Sequence, residues 1–314
     1  MRATFGILCA LGASTCFSLN DMGIKLLSGA YPLHQIVLIR SLIGITITLA
    51  IMVPLDGGWE AFKTKRIGMH VIRAATVIFA NTVFFMGLAA LPISEATAIF
   101  FIAPLVITAF AFLFLAEKAG PRRWAAVCIG MVGVLIIIRP GSDAFRLAAL
   151  LPVAAAFAYA TLHVLTRKIG ATERASTMSI YIQMTFIVVS ATVGLTVGDG
   201  RFSGGAHPSI EFLLRAWSWP PMADWPVLAM VGVASGFGGY LISQAYRQSE
   251  ASLIAPFEYV AMPMAIIWGI TLFGEFPDAL AWLGINLIIG AGLYVFWREA
   301  VNSRKVAGRK PIRR

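Results

Sequence analysis

Charged side chains are scarce in this sequence, 25 Lys and Arg against 15 Asp and Glu, and nearly all of them punctuate long apolar runs. The few that fall inside a run are the groups that could do chemistry. Of the carboxylates only Glu258 sits well inside a run, about six residues or roughly 9 Å from its nearer end at the helical rise. A carboxylate there, flanked by Pro256 and Tyr259, either exchanges a proton when it meets a substrate amine or a basic side chain, or stands as a structural group. Arg40 is the matching cation, about seven residues into the second run by the same measure of helix rise. Its guanidinium can clamp a substrate carboxylate with two parallel hydrogen bonds; it can equally neutralise a structural acid or snorkel outward. Gln183 occupies the corresponding depth of the seventh run. The amides of Asn81 and Asn286 suit either a cavity or a helix–helix hydrogen bond. Tyr159 and His163 lie four apart and share a helix face. Tyr240, Ser243 and Gln244 make a polar face on the eighth run, and Tyr259 and Trp268 add aromatic surface. Arg73 and His70 sit near the start of the third run, where interface anchoring is expected.

The elements that must position these groups follow from composition. The chain is 59% apolar and 13% charged, with a mean hydropathy of +0.81. Soluble domains carry about twice that charge, so an ordinary soluble enzyme is excluded. The apolar runs fall at 4–27, 33–53, 70–90, 94–115, 123–139, 146–168, 175–197, 226–247, 252–274 and 279–297. They are continuously apolar, which predicts ten membrane helices, since barrel strands would alternate with period two. Cys9, Cys16 and Cys128 all lie inside runs and form no disulfide framework.

With the N-terminus inside, eighteen Lys and Arg fall in inner segments and five in outer ones. That bias predicts both termini in the cytoplasm, and it turns the net charge of +10 into an orientation signal that calls for no nucleic-acid partner. The one long connection, 198–225, contains SIEFLLRAWSW. Its Ile210, Leu213, Leu214 and Trp217 predict a short helix in the outer interface.

An internal duplication organises the chain. Ser94-Glu95-Ala96 matches Ser249-Glu250-Ala251, Pro104 matches Pro263, and Glu117 matches Glu275, each glutamate followed seven residues later by Trp124 or Trp282. Residues 1–140 and 141–298 are thus expected to be two five-helix repeats, with 299–314 a basic cytoplasmic tail. Five being odd, the second repeat enters the bilayer inverted, as in many secondary transporters.

The SEA-type helix starts, the Pro in the fourth span of each half, the closing Glu117 and Glu275, and the segments GMVGVLII and GINLIIGAGLYV resemble the EamA-type members of the drug/metabolite transporter superfamily. The resemblance covers nearly the whole chain. It implies ten helices in two inverted repeats around a central cavity, working by alternating access, often as exporters of amino acids or other small metabolites. The small multidrug members carry a deep glutamate in their first span, where this chain has only Asp21 near the span's end.

No HExxH, phosphate loop or Ser-His-Asp arrangement is present, so metal, cofactor and catalytic roles are not expected. The expected function is export of small zwitterionic metabolites, amino acids foremost, across a bacterial inner membrane. The expected binding set is Arg40, Asn81, Tyr159, His163, Gln183, Tyr240, Gln244, Glu258, Tyr259, Trp268 and Asn286. Glu258 is the proton-coupling candidate, and Pro104, Pro256 and Pro263 are candidate gating bends. The lipid bilayer and a small molecule are the expected partners. A monomer is compatible with the sequence, which leaves the oligomeric state open. A polytopic membrane enzyme or lipid scramblase is the alternative.

Overall fold

A computed structural model describes residues 2–56, 58, 62, 64–115, 121–140, 146–170, 172–204 and 207–307. Among these every regular element is helical. The first long helices are α1 (Arg2–Leu27), α2 (Leu33–Ile47) with its short continuation α3 (Val53–Leu55), and α4 (Ile67–Ala90). Then come α5 (Ile93–Phe100), α6 (Ala103–Leu115), α7 (Pro121–Ile138), α8 (Leu150–Ile169) and α9 (Ala175–Val197). The last are α10 (Pro208–Leu214), α11 (Trp225–Gln248), α12 (Ala251–Ile254), α13 (Ala261–Leu272) and α14 (Ala279–Ala307). Seven helical stretches are long and apolar enough to cross a membrane, and Trp124–Ile138, Phe257–Leu272 and Ala279–Tyr294 are shorter apolar helices.

Proline explains where helices begin and break. Pro32 and Pro92 occupy the cap positions of α2 and α5, where an extended residue must precede the first turn. Pro104 has no N–H for the carbonyl four residues back, and the run 93–115 is interrupted at Phe101–Ile102 between α5 and α6. A 3-10 stretch, Ala255–Val260, joins α12 to α13; Pro256 lies within it and Pro263 in the first turn of α13. Pro104 follows the break between α5 and α6 and Pro256 lies in the 3-10 stretch, whereas Pro263 sits in regular helix. A π-helical turn, Thr48–Met52, interrupts α2, where the Thr48 hydroxyl donates to the Gly44 carbonyl at 2.9 Å.

Small residues set the close contacts. A Cβ on Gly284 would lie 2.7 Å from the Gly133 carbonyl oxygen, so α7 and α14 meet backbone to backbone. A Cβ on Gly236 would lie 3.1 Å from Gly44, which does the same for α11 and α2. Elsewhere α1 packs on α11, α4 on α8, and α2 on α9. The α7–α14 pair is also tied at one end. Arg139, at φ 51°, terminates α7 in the left-handed conformation and donates to Asp278 at 2.5 Å, while Asp278 caps α14 through the Ala281 N–H at 2.8 Å. The guanidinium holds the Asp278 carboxyl below the usual carboxylate range.

At the same end Lys25 lies 2.8 Å from Glu275 and donates to the Leu91 carbonyl at 2.7 Å, and Glu275 accepts the Ile93 N–H at 2.8 Å. This end also holds the short helix of the long connection, and here the structure corrects the sequence. Helix α10 stops at Leu214, leaving Trp217 outside it and Ile210 exposed. Phe212, buried to 1% exposure, anchors α10. Trp217 packs over Gly194 of α9 and over Gly198 just past its end, while Trp219 and Met222 stand out. At the opposite end Asp56 accepts the Ser176 N–H and hydroxyl, and Glu173 accepts from Thr64. Glu117 and the end of the basic tail lie outside the described residues.

Candidate functional site

The helices enclose a central cavity with about 160 Å³ open to the centres of water-sized molecules. Its wall is contributed by α1, α2, α4, α5, α8, α9, α11, α13 and the 3-10 segment before α13, and it is richer in aromatic than in charged surface. Three polar groupings stand out from that wall.

The first centres on Arg40, which is 3% exposed. Its Nη1 donates to Asn20 at 3.0 Å and its Nη2 to Asn81 at 2.6 Å, while Asn20 donates to Asp21 at 3.1 Å. The guanidinium carbon lies 5.5 Å from the Phe85 ring centre and 5.1 Å from that of Phe186. Arg40 is thus held between two aromatic faces and fixed by neutral amides; among the described residues no carboxylate is bound directly to it and its Nε has no partner. A guanidinium so placed keeps much of its capacity to attract an anionic or electron-rich group.

The second centres on Glu258. The Tyr159 hydroxyl donates to it at 2.7 Å, and the Tyr246 hydroxyl donates to its other oxygen. No cation is bonded to this carboxylate among the described residues, so two phenols take the place of an ion-pair partner. The 3-10 geometry between Pro256 and Pro263 delivers Glu258 here: this stretch makes poorer, tighter turns than an α-helix and re-aims its side chains.

The third grouping was not expected at the cavity. Arg73 is buried to 1% exposure and lines the cavity, its Nε donating to Thr166 at 3.0 Å. The interface-anchor expectation for Arg73 and His70 is therefore corrected: both are buried, and His70 stacks on Tyr181 and meets Glu173 at 3.2 Å. Arg73, Val77, Ala80 and Phe84 recur at helical spacing on α4 and all line the cavity, together with Asn81. The signal was in the sequence, since eight residues separate Arg73 from Asn81 and place them on one face.

Of the expected binding set, Arg40, Asn81, Tyr159, His163, Gln183 and Glu258 line the cavity. Gln183 donates weakly to Ser235 at 3.4 Å. Trp268 and Tyr259 stand behind the wall, Trp268 donating to the lining Ser18 at 3.0 Å and Tyr259 packing on Gly292 and Phe101. Tyr240 and Gln244 are not on the lining; they bond each other at 2.9 Å and Gln244 accepts from Arg247 and Gln248. Asn286 faces away, in a small groove between α7 and α14, and donates to its own helix at Trp282. Tyr246, Asn20, Asp21, Thr166 and the Phe85–Phe186 pair are the partners the sequence reading missed. Among the described residues no group of three His, Cys, Asp or Glu could hold a metal ion.

Residues 4–139 match the EamA-like transporter family. The chain is 29% identical over 262 residues to a riboflavin transporter of Brucella anthropi, covering 83% of this chain and 87% of that one. It is 25% identical to an S-adenosylmethionine uptake transporter of Rickettsia prowazekii, covering 90% and 89%, and 25% identical to the pseudopaline exporter of Pseudomonas aeruginosa, covering 91% and 94%. A solved protein crystal structure shares the fold at a TM-score of 0.68, covering 91% of this chain and 94% of its own at 17% identity. The buried polar cavity between apolar helices thus stands in a chain whose first part matches the EamA-like transporter family and which over most of its length is similar to transporters of several bacteria.

Proposed function

We propose that this protein is a secondary transporter that carries a small organic metabolite through the central cavity by alternating access. The two halves act as inverted five-helix repeats in a bacterial inner membrane, with both termini in the cytoplasm. The packing supports that symmetry: α1 lies on α11 as its counterpart α8 lies on α4, while α7–α14 and α2–α9 each pair a helix with its own counterpart. The Lys25–Glu275 end is then the outer end, and both ends are tied across the halves, the inner one through Asp56 with Ser176 and through Glu173 with Thr64 and His70.

The observation that carries the substrate reading is Arg40 between Phe85 and Phe186 in an aromatic-lined cavity. Flat π-systems stack in such a setting, and the guanidinium and amides recognise polar edges. A flat heteroaromatic metabolite with hydrogen-bonding edges fits best, and the riboflavin and S-adenosylmethionine named for two relatives are such molecules. A second reading, the zwitterionic amino acid expected from sequence, is favoured by the presence of both Arg40 and Glu258 in one cavity.

Purified full-length protein in liposomes, offered riboflavin, S-adenosylmethionine and a set of amino acids in both directions, separates these readings. Saturable riboflavin or S-adenosylmethionine movement is expected. Movement of amino acids alone would replace the heteroaromatic substrate with the zwitterionic one, and a panel in which nothing moves overturns the transport function.

A further inference from the structure

The corner of the cavity built by Arg73, His163 and Thr166 has no part in the aromatic clamp. All three side chains are buried to 2% exposure or less and all line the cavity. Arg73 spends its Nε on the Thr166 hydroxyl at 3.0 Å, and Thr166 donates onward to the Leu162 carbonyl at 2.8 Å. Its Nη1 has no protein partner. His163 is held between two rings, with centroids 4.1 Å from Tyr159 and 4.2 Å from Tyr246, and neither of its nitrogens has a protein partner.

Three unmet polar atoms on two immobilised side chains are costly in a membrane interior, where a buried donor without a partner forfeits about 1–3 kcal/mol. The neighbouring acids do not account for them. Glu173 is engaged by His70 at 3.2 Å and by Thr64 at 3.0 Å, and Glu258 by the two tyrosine hydroxyls. No carboxylate lies within ion-pair distance of Arg73 among the described residues. A guanidinium with a free edge next to an imidazole has the chemistry of an oxyanion receptor.

We propose that Arg73 and His163 form a second subsite in the cavity, which binds an anionic oxygen group, a carboxylate or a phosphate ester, carried by the substrate. Resting on the transport reading, it narrows the substrate class. Arg73 and Asn81, the latter bonded to Arg40, are eight residues apart on α4, about 12 Å along the axis. The substrate therefore pairs a flat ring system, stacked at the Arg40 clamp, with an oxyanion on an arm long enough to reach Arg73. Both ends of such a molecule meet a guanidinium, and Val77 and Ala80, between Arg73 and Asn81 on α4, line its apolar middle.

The test uses the full-length protein in nanodiscs at constant ionic strength, with benzoate, phenyl phosphate and the neutral benzyl alcohol as probes and thermal unfolding as the readout. The native protein is expected to bind at least one of the two anions at least tenfold more tightly than benzyl alcohol, and which anion is preferred decides between carboxylate and phosphate ester. Arg73→Gln is expected to remove that preference and Arg73→Lys to keep part of it. His163→Phe preserves the packing between the tyrosines while removing the ring nitrogens. It is expected to weaken anion binding, and it decides the matter should Arg73→Gln not fold. Equal binding of anions and alcohol by the native protein, or full anion preference in either Arg73→Gln or His163→Phe, overturns the subsite. Because binding is read without transport, a protein that prefers anions yet moves nothing in liposomes keeps the subsite and loses the transport function. Riboflavin transport with no anion preference does the reverse.

Discussion

At the scale of single residues the cavity sets two unlike charges in unlike company. Arg40 is fixed by amides and rings, and Glu258 by phenol hydroxyls, so neither is neutralised by a direct ion pair. Groups held this way are available to a ligand or a proton at little cost in rearrangement. Arg40→Gln is expected to lower uptake or efflux of the transported metabolite at least tenfold, about 1.4 kcal/mol or more of lost interaction, measured as initial rate in liposomes. Glu258 is expected to carry coupling to protons. Glu258→Gln should flatten the dependence of transport on a pH gradient while counterflow at equal pH continues, and a variant that keeps the native pH dependence would exclude that role. Depth along a helix made both residues legible in sequence. Tyr246 was not, because it lies on the face of α11 opposite the polar set at Tyr240 and Gln244 that sequence periodicity favoured.

At the scale of elements, helix contacts decide which side chains meet. The α7–α14 contact leaves no space at Gly284, where an added Cβ would come 2.5 Å from Ile137 and 2.7 Å from the Gly133 carbonyl. Gly284→Ala is expected to destabilise the protein by about 1–3 kcal/mol. Gly290→Ala, with nothing within 4 Å of the new Cβ, should stay within about 0.5 kcal/mol. Thermal unfolding in one detergent compares the two. The Arg139–Asp278 pair at the end of these helices is a pH-dependent tie. Since Arg139 lowers the Asp278 carboxyl in the folded protein, its stabilisation is present above the ordinary carboxylate pKa and is lost as pH falls through the depressed value. With Asp278 half exposed, the contribution is at most about 1 kcal/mol. Asp278→Asn retains a capping oxygen, so it should cost that small amount at neutral pH and less at pH 3. An equal loss at both values would show that the ion pair contributes nothing.

For the whole molecule, the inverted-repeat arrangement requires both termini on one side. Tags at either end are expected to be cut by protease in inside-out vesicles and protected in right-side-out ones; opposite sensitivities would exclude the proposed topology. The positive-inside bias supports that orientation, and it is a property of the chain in a membrane field rather than of the fold.

The all-helical membrane architecture was determined by the sequence alone, because every backbone polar group in hydrocarbon must be satisfied within its own helix, and continuous apolar runs leave no other solution. So were the depths of Arg40, Asn81 and Glu258, which follow from counting residues along a helix. What only the tertiary structure decided is the direction each side chain faces once ten apolar stretches pack. In lipid the side facing a neighbour and the side facing acyl chains are both apolar, so hydrophobic periodicity that would orient a soluble helix is nearly silent. For that reason Asn286 turned out to face a peripheral groove, α10 to be anchored by Phe212, and Arg73, expected as an anchor at the interface, to be a buried cation on the cavity wall.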